Sequence, residues 1–341
     1  MSENKIVRAC LIGCGRAGMI HARNYAGNVR GAELIAFCDP STECLEAATS
    51  EIEVPYVYKD YTEALKNPEI DAVIVVTPTR FHHDVVIAAA KAGKHVFCEK
   101  PVDLTPEKVL AVIAAVKEAG VKLQVGFNCR FDHNFAHIRE LINEGKIGKL
   151  ELVKITSRDP EPPPAQYAAV SGGIFLDMTI HDFDMACFIA GSEVDEVYVN
   201  ATCLVDPAIG EAGDVDTAIV SLKFKNGAIG VIDNSRRAAY GYDQRVEAFG
   251  SLGAAVAAND TPTNVTLMTA DGVVTDKPLY FFLERYMQSF TDEMRQFVDA
   301  VQNDKPTPTT GEDGLAAILI ALAAKKSVKE GRPVKVAEIL G

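Results

Sequence analysis

The stretch "VRACLIGCGRAGMIHARNYAG", residues 7–27, decides the fold. Its first part, with Ile6 before it, is an apolar run over 6–12 that reads as a strand. Gly13-Cys14-Gly15-Arg16-Ala17-Gly18 follows at once, and 19–27 reads as helical. A GxGxxG pattern alone is a weak signal, because glycine turns arise by chance. Between a strand and a helix it gains a mechanism: the glycines permit a tight turn and let the backbone approach a pyrophosphate at the helix N-terminus. Asp39 stands 21 residues beyond Gly18, after a second strand at 34–38. A carboxylate there accepts hydrogen bonds from the adenosine ribose hydroxyls and repels a 2′-phosphate. No Arg or Lys occupies Pro40-Ser41-Thr42-Glu43, so NAD is expected rather than NADP. The plainer alternative for Asp39 is a turn-forming Asp-Pro.

The pattern continues outward from this stretch. Helical segments at 41–50, 83–92 and 106–119 alternate with bare apolar runs at 72–76, 95–98 and 123–127. Thr105 is a plausible N-cap for the third of these helices, with Pro106 at its first position. Continuous apolar strands alternating with helices imply a parallel sheet covered on both faces. From about residue 150 the strands lengthen (150–157, 194–203, 217–224, 228–236 and 244–250) and several alternate with period 2. Lys225-Asn226-Gly227 is a hairpin-like turn. The expected fold is therefore an α/β Rossmann domain over 1–126, followed by an α+β domain over 127–341 with a large, mostly antiparallel open sheet.

Composition narrows the function classes. The 341 residues carry 34 basic and 47 acidic side chains, a formal net charge of −13, which argues against nucleic acid and anionic membranes as partners. Residues 1–5 lead directly into the first strand with no signal-peptide pattern. The apolar run 315–324 is too short to span a bilayer and reads as a packed helix. Eight cysteines lie scattered without a Cys-x-x-Cys pair, which fits a cytoplasmic protein with free thiols better than a disulfide framework or a structural zinc. An open sheet in the second half would expose a large apolar face, so self-association is expected.

Three segments carry candidate chemistry. Glu99-Lys100-Pro101 follows the apolar run 95–98, so Lys100 would stand at the C-terminal lip of a buried strand, where a doubly wound sheet binds its ligand. Thr77-Pro78-Thr79, with His82 five residues beyond Thr77, follows another strand. That segment is either a clamp near the nicotinamide ribose or a proline turn before a helix. In "GGIFLDMTIHDFD", residues 172–184, Asp177 and His181 are four apart and would share one face of a helix. A carboxylate beside an imidazole fixes its tautomer and orients it as a base. On its own, such a pair is more often a surface ion pair.

Together, GxGxxG, Thr-Pro-x-x-x-His, Glu-Lys-Pro and Gly-Gly-x-x-x-Asp-x-x-x-His resemble the Gfo/Idh/MocA oxidoreductase family over nearly the whole chain. Within it, "QVGFNCRFD" (124–132), "SRDPEPPP" (157–164), "GGIFLDMTIHDFDMA" (172–186) and "YGYDQRVEAFG" (240–250) resemble the enzymes that act on inositols. The resemblance implies NAD-dependent oxidation of a cyclitol secondary alcohol, with myo-inositol the expected substrate. Scyllo-inositol, another polyol or an aldose is the alternative. It implies Lys100, Asp177 and His181 as the catalytic trio. It places Gly13, Gly15, Arg16, Ala17, Gly18, Asp39, Thr77, Pro78, Thr79, His82, Glu99 and Lys100 around the cofactor. Asn128, Arg130, Asp159, Thr179, Tyr240 and Tyr242 are the expected substrate contacts, and the family often forms tetramers. Phe127-Asn128-Cys129-Arg130 departs from the Phe-Met-Arg-Arg associated with inositol dehydrogenases, on the loop that lines the substrate side.

Two rival classes remain at this level. A zinc enzyme would draw on His82-His83 or the His133/His137 pair, but no third ligand presents itself, so no metal is expected. A non-catalytic NAD(H)-responsive regulator on the same fold should lack one of the trio, and all three residues are present.

Overall fold

The structure is a computed structural model that describes residues 6–340; the sequence reading of 1–5 lies outside the described residues. The chain packs as two compact units. The first takes the chain up to Phe131 together with Gln288–Leu315, and the second takes Asp132–Met287 and the residues from Ala316 on.

In the first unit, β1 (Val7–Ile12), β2 (Ala32–Cys38), β3 (Tyr56–Tyr58), β4 (Ala72–Val75), β5 (His95–Glu99) and β6 (Leu123–Gly126) form one sheet in the order β3-β2-β1-β4-β5-β6. Every pairing in it is parallel. That is the doubly wound order, with β1 and β4 meeting where the strand order reverses. β4 is buried at all four positions, as a strand covered on both faces must be. The packed units interleave instead of parting once at 126/127, because Gln288–Leu315 returns to the first unit. Met294, Phe297 and Val298 of the helix Met287–Gln302 join Leu11, Phe37, Ile74 and Phe97 in one apolar core.

The second unit holds β7 (Leu150–Arg158), β8 (Val194–Thr202), β9 (Thr217–Phe224), β10 (Ile229–Ser235), β11 (Asp243–Gly250), β12 (Gly253–Ala257) and, after the exposed hairpin β13 (Thr266–Thr269) and β14 (Gly272–Thr275), β15 (Val334–Lys335). Its seven-stranded sheet runs β12-β11-β7-β10-β9-β8-β15. All of its pairings are antiparallel except β7 with β10. β9 alternates exposed and buried along most of its length, the pattern of a sheet with one open face. The helix Thr179–Ala190 packs on β7 and β10, with Ile180, Phe183 and Ile189 fully buried.

One local expectation fails. Asp177 and His181 do not lie on a single helix. Asp177 ends the short helix Ile174–Asp177, and Met178 separates it from Thr179–Ala190. The amide of His181 donates to the carbonyl of Met178 at 3.2 Å, a three-residue step in place of the four-residue step of an α-helix. No helix among the described residues is long and apolar enough to cross a membrane.

Candidate active site

The nucleotide turn is built by close backbone contact. A Cβ on Gly18 would stand 2.0 Å from the carbonyl oxygen of Gly13, and one on Gly13 would meet the Val76 carbonyl at 2.5 Å. Gly15 differs: its backbone has ordinary angles, φ −72° and ψ −173°, and nothing lies within 4 Å of where its Cβ would be. That open cradle sits at the N-cap of the helix Arg16–Gly27, where no side chain caps the first amides. Unfilled N–H groups at a helix start, reached across a side-chain-free residue, fit a pyrophosphate.

Asp39 follows β2. Its Oδ2 accepts the amide of Cys14 and its Oδ1 that of Ser41, both at 2.8 Å. Each oxygen keeps a lone pair for a ribose hydroxyl. Cys14, inside the fingerprint, is a buried thiol pushed up to about 12, mainly by burial, so it fills space and does not react.

His82 is held more tightly than the sequence suggests. Its Nδ1 lies 2.8 Å from the Pro101 carbonyl and its Nε2 2.7 Å from that of Thr77, and the ring is buried. Burial is the main influence and pushes its pKa down. His82 thus joins the Thr77-Pro78-Thr79 loop to the Glu99-Lys100-Pro101 strand end, and in this arrangement neither nitrogen is turned to a cofactor. Lys100 is partly buried, and the Lys100–Pro101 peptide is cis. Glu99 faces the interior: its Oε1 is 2.8 Å from His21 Nε2, and its Oε2 accepts the Lys100 amide at 3.2 Å. Burial raises its pKa, but the His21 bond and the Lys100 charge outweigh that and hold it below the usual value. Nearby Glu293 is fully buried and raised well above the carboxylate range by burial first and the Glu99 charge second.

In the second unit, the sequence candidates gather at the C-terminal ends of the parallel pair β7/β10. Asp159, just beyond β7, and Asp177 both meet Arg236, just beyond β10. Arg236 Nη1 donates to Asp159 Oδ2 at 3.0 Å and Nη2 to Asp177 Oδ2 at 2.9 Å. The Tyr167 hydroxyl donates to Asp177 Oδ1 at 3.0 Å. Thr179 is fully buried and donates to Asn234 Oδ1 at 2.8 Å; the Asn234 amide donates to Asp182 Oδ2 at 2.8 Å. Burial pushes Asp182 up to about 7, with the Asp159 charge adding to it.

The remaining substrate candidates are engaged elsewhere. Arg130 donates to Asp313 at 2.8 Å, a tie within the first unit, where the buried Asn128 also lies. The Tyr240 hydroxyl donates to Asp243 at 2.5 Å and accepts from Arg158 at 3.0 Å. The Tyr242 ring packs edge-on against Phe281 and Tyr286.

Arg236, Asn234, Asp182 and Tyr167 escaped the sequence reading. The first two had a signal: Gly230, Ile232, Asn234 and Arg236 are the inward positions of β10 and its end. Polar residues at the last two inward positions mark a polar end to an otherwise apolar strand face.

The doubly wound sheet, the open glycine cradle and the carboxylate of Asp39 beyond β2 fit a dinucleotide-binding domain. Residues 7–127 match the family described as an oxidoreductase family with an NAD-binding Rossmann fold, and 135–256 match the GFO/IDH/MocA C-terminal domain. The chain belongs to the Gfo/Idh/MocA oxidoreductase family. It is 50% identical to the myo-inositol 2-dehydrogenase of Thermotoga maritima, over 98% of this chain and 100% of that protein. It is 45% identical to an inositol 2-dehydrogenase of Rhizobium meliloti, over 97% of this chain and 99% of that one. Among solved structures, a scyllo-inositol dehydrogenase from Lactobacillus casei with NAD(H) and scyllo-inositol bound is 32% identical, with a TM-score of 0.91 over 98% of this chain and 100% of that one.

Proposed function

We propose that this protein oxidises a secondary alcohol of an inositol, with myo-inositol as substrate and the 2-keto cyclitol as product, using NAD. The observation that carries this is the 50% identity to a myo-inositol 2-dehydrogenase over 98% of this chain and 100% of that protein.

Bound NAD supplies the hydride acceptor, nicotinamide C4. The glycine turn and Asp39 hold the pyrophosphate and ribose. His181 takes the hydroxyl proton as the carbinol C–H bond breaks, and Lys100 hydrogen-bonds the same oxygen and stabilises the charge that develops on it. Asp177 orients His181 and a neighbouring hydroxyl. Asp159 completes the polar wall, because each buried hydroxyl left unpaired is costly. Arg130, Thr179, Tyr240 and Tyr242 shape the surroundings through the partners described above, and Asn128 through its buried side chain.

A steady-state screen of myo-inositol, scyllo-inositol, D-chiro-inositol and glucose with NAD and NADP tests this. The highest kcat/KM is expected for myo-inositol with NAD. A preference for scyllo-inositol would favour the alternative suggested by the Lactobacillus casei relative, and no turnover of any cyclitol would overturn the proposal. We also place the protein in the cytoplasm as a homotetramer. The free cysteines support the first. Ile219, Ile229, Phe249 and Val256, exposed on strands of the large sheet, support the second.

A further inference from the structure

We infer that Arg236 is a positioning residue: it clamps Asp177 and Asp159 in one orientation, so that the carboxylate proposed to orient His181 is set before substrate arrives. This rests on the function proposed above. The Arg236 side chain is 5% exposed and reaches two carboxylates from different elements. Its own backbone is fixed by a hydrogen bond from its N–H to the Asp216 carbonyl at 2.8 Å, and that of Asp159 by a hydrogen bond from its N–H to the Ser235 carbonyl at 2.9 Å. Both ends of the clamp therefore sit on paired backbone.

A guanidinium suits this place because its planar fork can address two acceptors at once, which an ammonium cannot do in the same geometry. With Oδ2 on Arg236 and Oδ1 on Tyr167, the plane of the Asp177 carboxylate is defined from both sides. The surroundings are acidic. Asp214, whose Oδ2 accepts the Ile174 amide, feels the Arg236 and Lys325 charges, and Asp182 feels Asp159. Arg236 is thus the counter-ion of a mainly acidic cluster. Without it, the buried Asp159 and the partly buried Asp177 would be left as uncompensated carboxylates, and one would take up a proton.

The test uses Arg236→Lys and Arg236→Ala in the full-length protein. Arg236→Lys should fold, keep its KM for NAD and lose about 10²-fold in kcat/KM for the cyclitol, the loss produced by a misplacement on the order of 1 Å. The acid limb of its pH profile should move to higher pH, because the cluster must now shed a proton. Guanidinium ion should partly restore Arg236→Ala, and sodium at equal ionic strength should not. The melting temperature of Arg236→Lys should fall relative to the parent as pH rises from about 5 to 8, since carboxylates with raised pKa lose stability in that direction. Activity within threefold of the parent, or a loss with an unmoved pH profile and no such melting trend, would overturn the inference. Parent protein inactive on every cyclitol would instead sink the proposed function, and the melting series would still read the clamp.

Discussion

The Cys14 amide donates to Asp39 Oδ2 at 2.8 Å, so the residue proposed to hold the ribose also ties the glycine turn to the end of β2. Asp39→Ala should therefore do two things. It should raise KM for NAD by about tenfold to a hundredfold, the size of one or two lost charge-assisted hydrogen bonds, and raise the NADP-to-NAD ratio of kcat/KM. It should also lower the melting temperature, because the Cys14 and Ser41 amides lose their acceptor. Unchanged cofactor preference would rule out the ribose role.

Gly15 and Gly18 separate folding from cofactor binding. Gly18→Ala would push a methyl to 2.0 Å from a backbone oxygen and should destabilise the first unit. Gly15→Ala has room and allowed angles, so its melting temperature should stay near the parent's while NADH binding, followed by fluorescence, weakens sharply. Full NADH affinity in Gly15→Ala would mean that the cradle does not receive the pyrophosphate.

Lys100→Met should keep NADH binding and lose turnover by about 10²- to 10³-fold, the range for one removed oxyanion donor. The measurement is kcat beside a direct titration of NADH. Near-normal turnover would exclude the role proposed for Lys100.

Asp182 gives a pH test of the buried network. Its folded pKa of about 7 lies above the ordinary 3.8, so the folded state holds an extra proton between those values. Stability is then lost as pH rises through that window. Asp182→Asn keeps an acceptor for the Asn234 amide and removes the loss. It should be near neutral at pH 4 and stabilise by on the order of 3 kcal/mol at pH 8. Melting curves at both pH values check this, and an equal effect at the two would contradict it.

How much the sequence revealed follows from how far apart the interacting residues lie. The nucleotide turn was legible because its strand, glycines and helix are contiguous and each constrains the next. Asp39 was legible by its distance from the turn. Arg236 was not, since its partners Asp159 and Asp177 lie in distant segments and join it only when β7 pairs with β10. The place of Met287–Gln302 in the first core was hidden too, because an amphipathic helix reads the same whichever core buries it. The break at Met178 left no mark: "FLDMTIHD", residues 175–182, contains neither Gly nor Pro.

The parallel pair β7/β10 has one more consequence. Parallel neighbours cannot be joined by a tight turn, and the chain leaving β7 crosses Ala165–Ser171, Ile174–Asp177 and Thr179–Ala190 before the β8-β9-β10 meander returns. Asp177 and His181 therefore sit on the crossover itself. Long-range pairings of this kind close slowly, because the loop must be ordered before the contacts reward it. The segment proposed to carry the chemistry is also the one whose docking completes the sheet, so natural variation there must satisfy folding kinetics and turnover in the same residues.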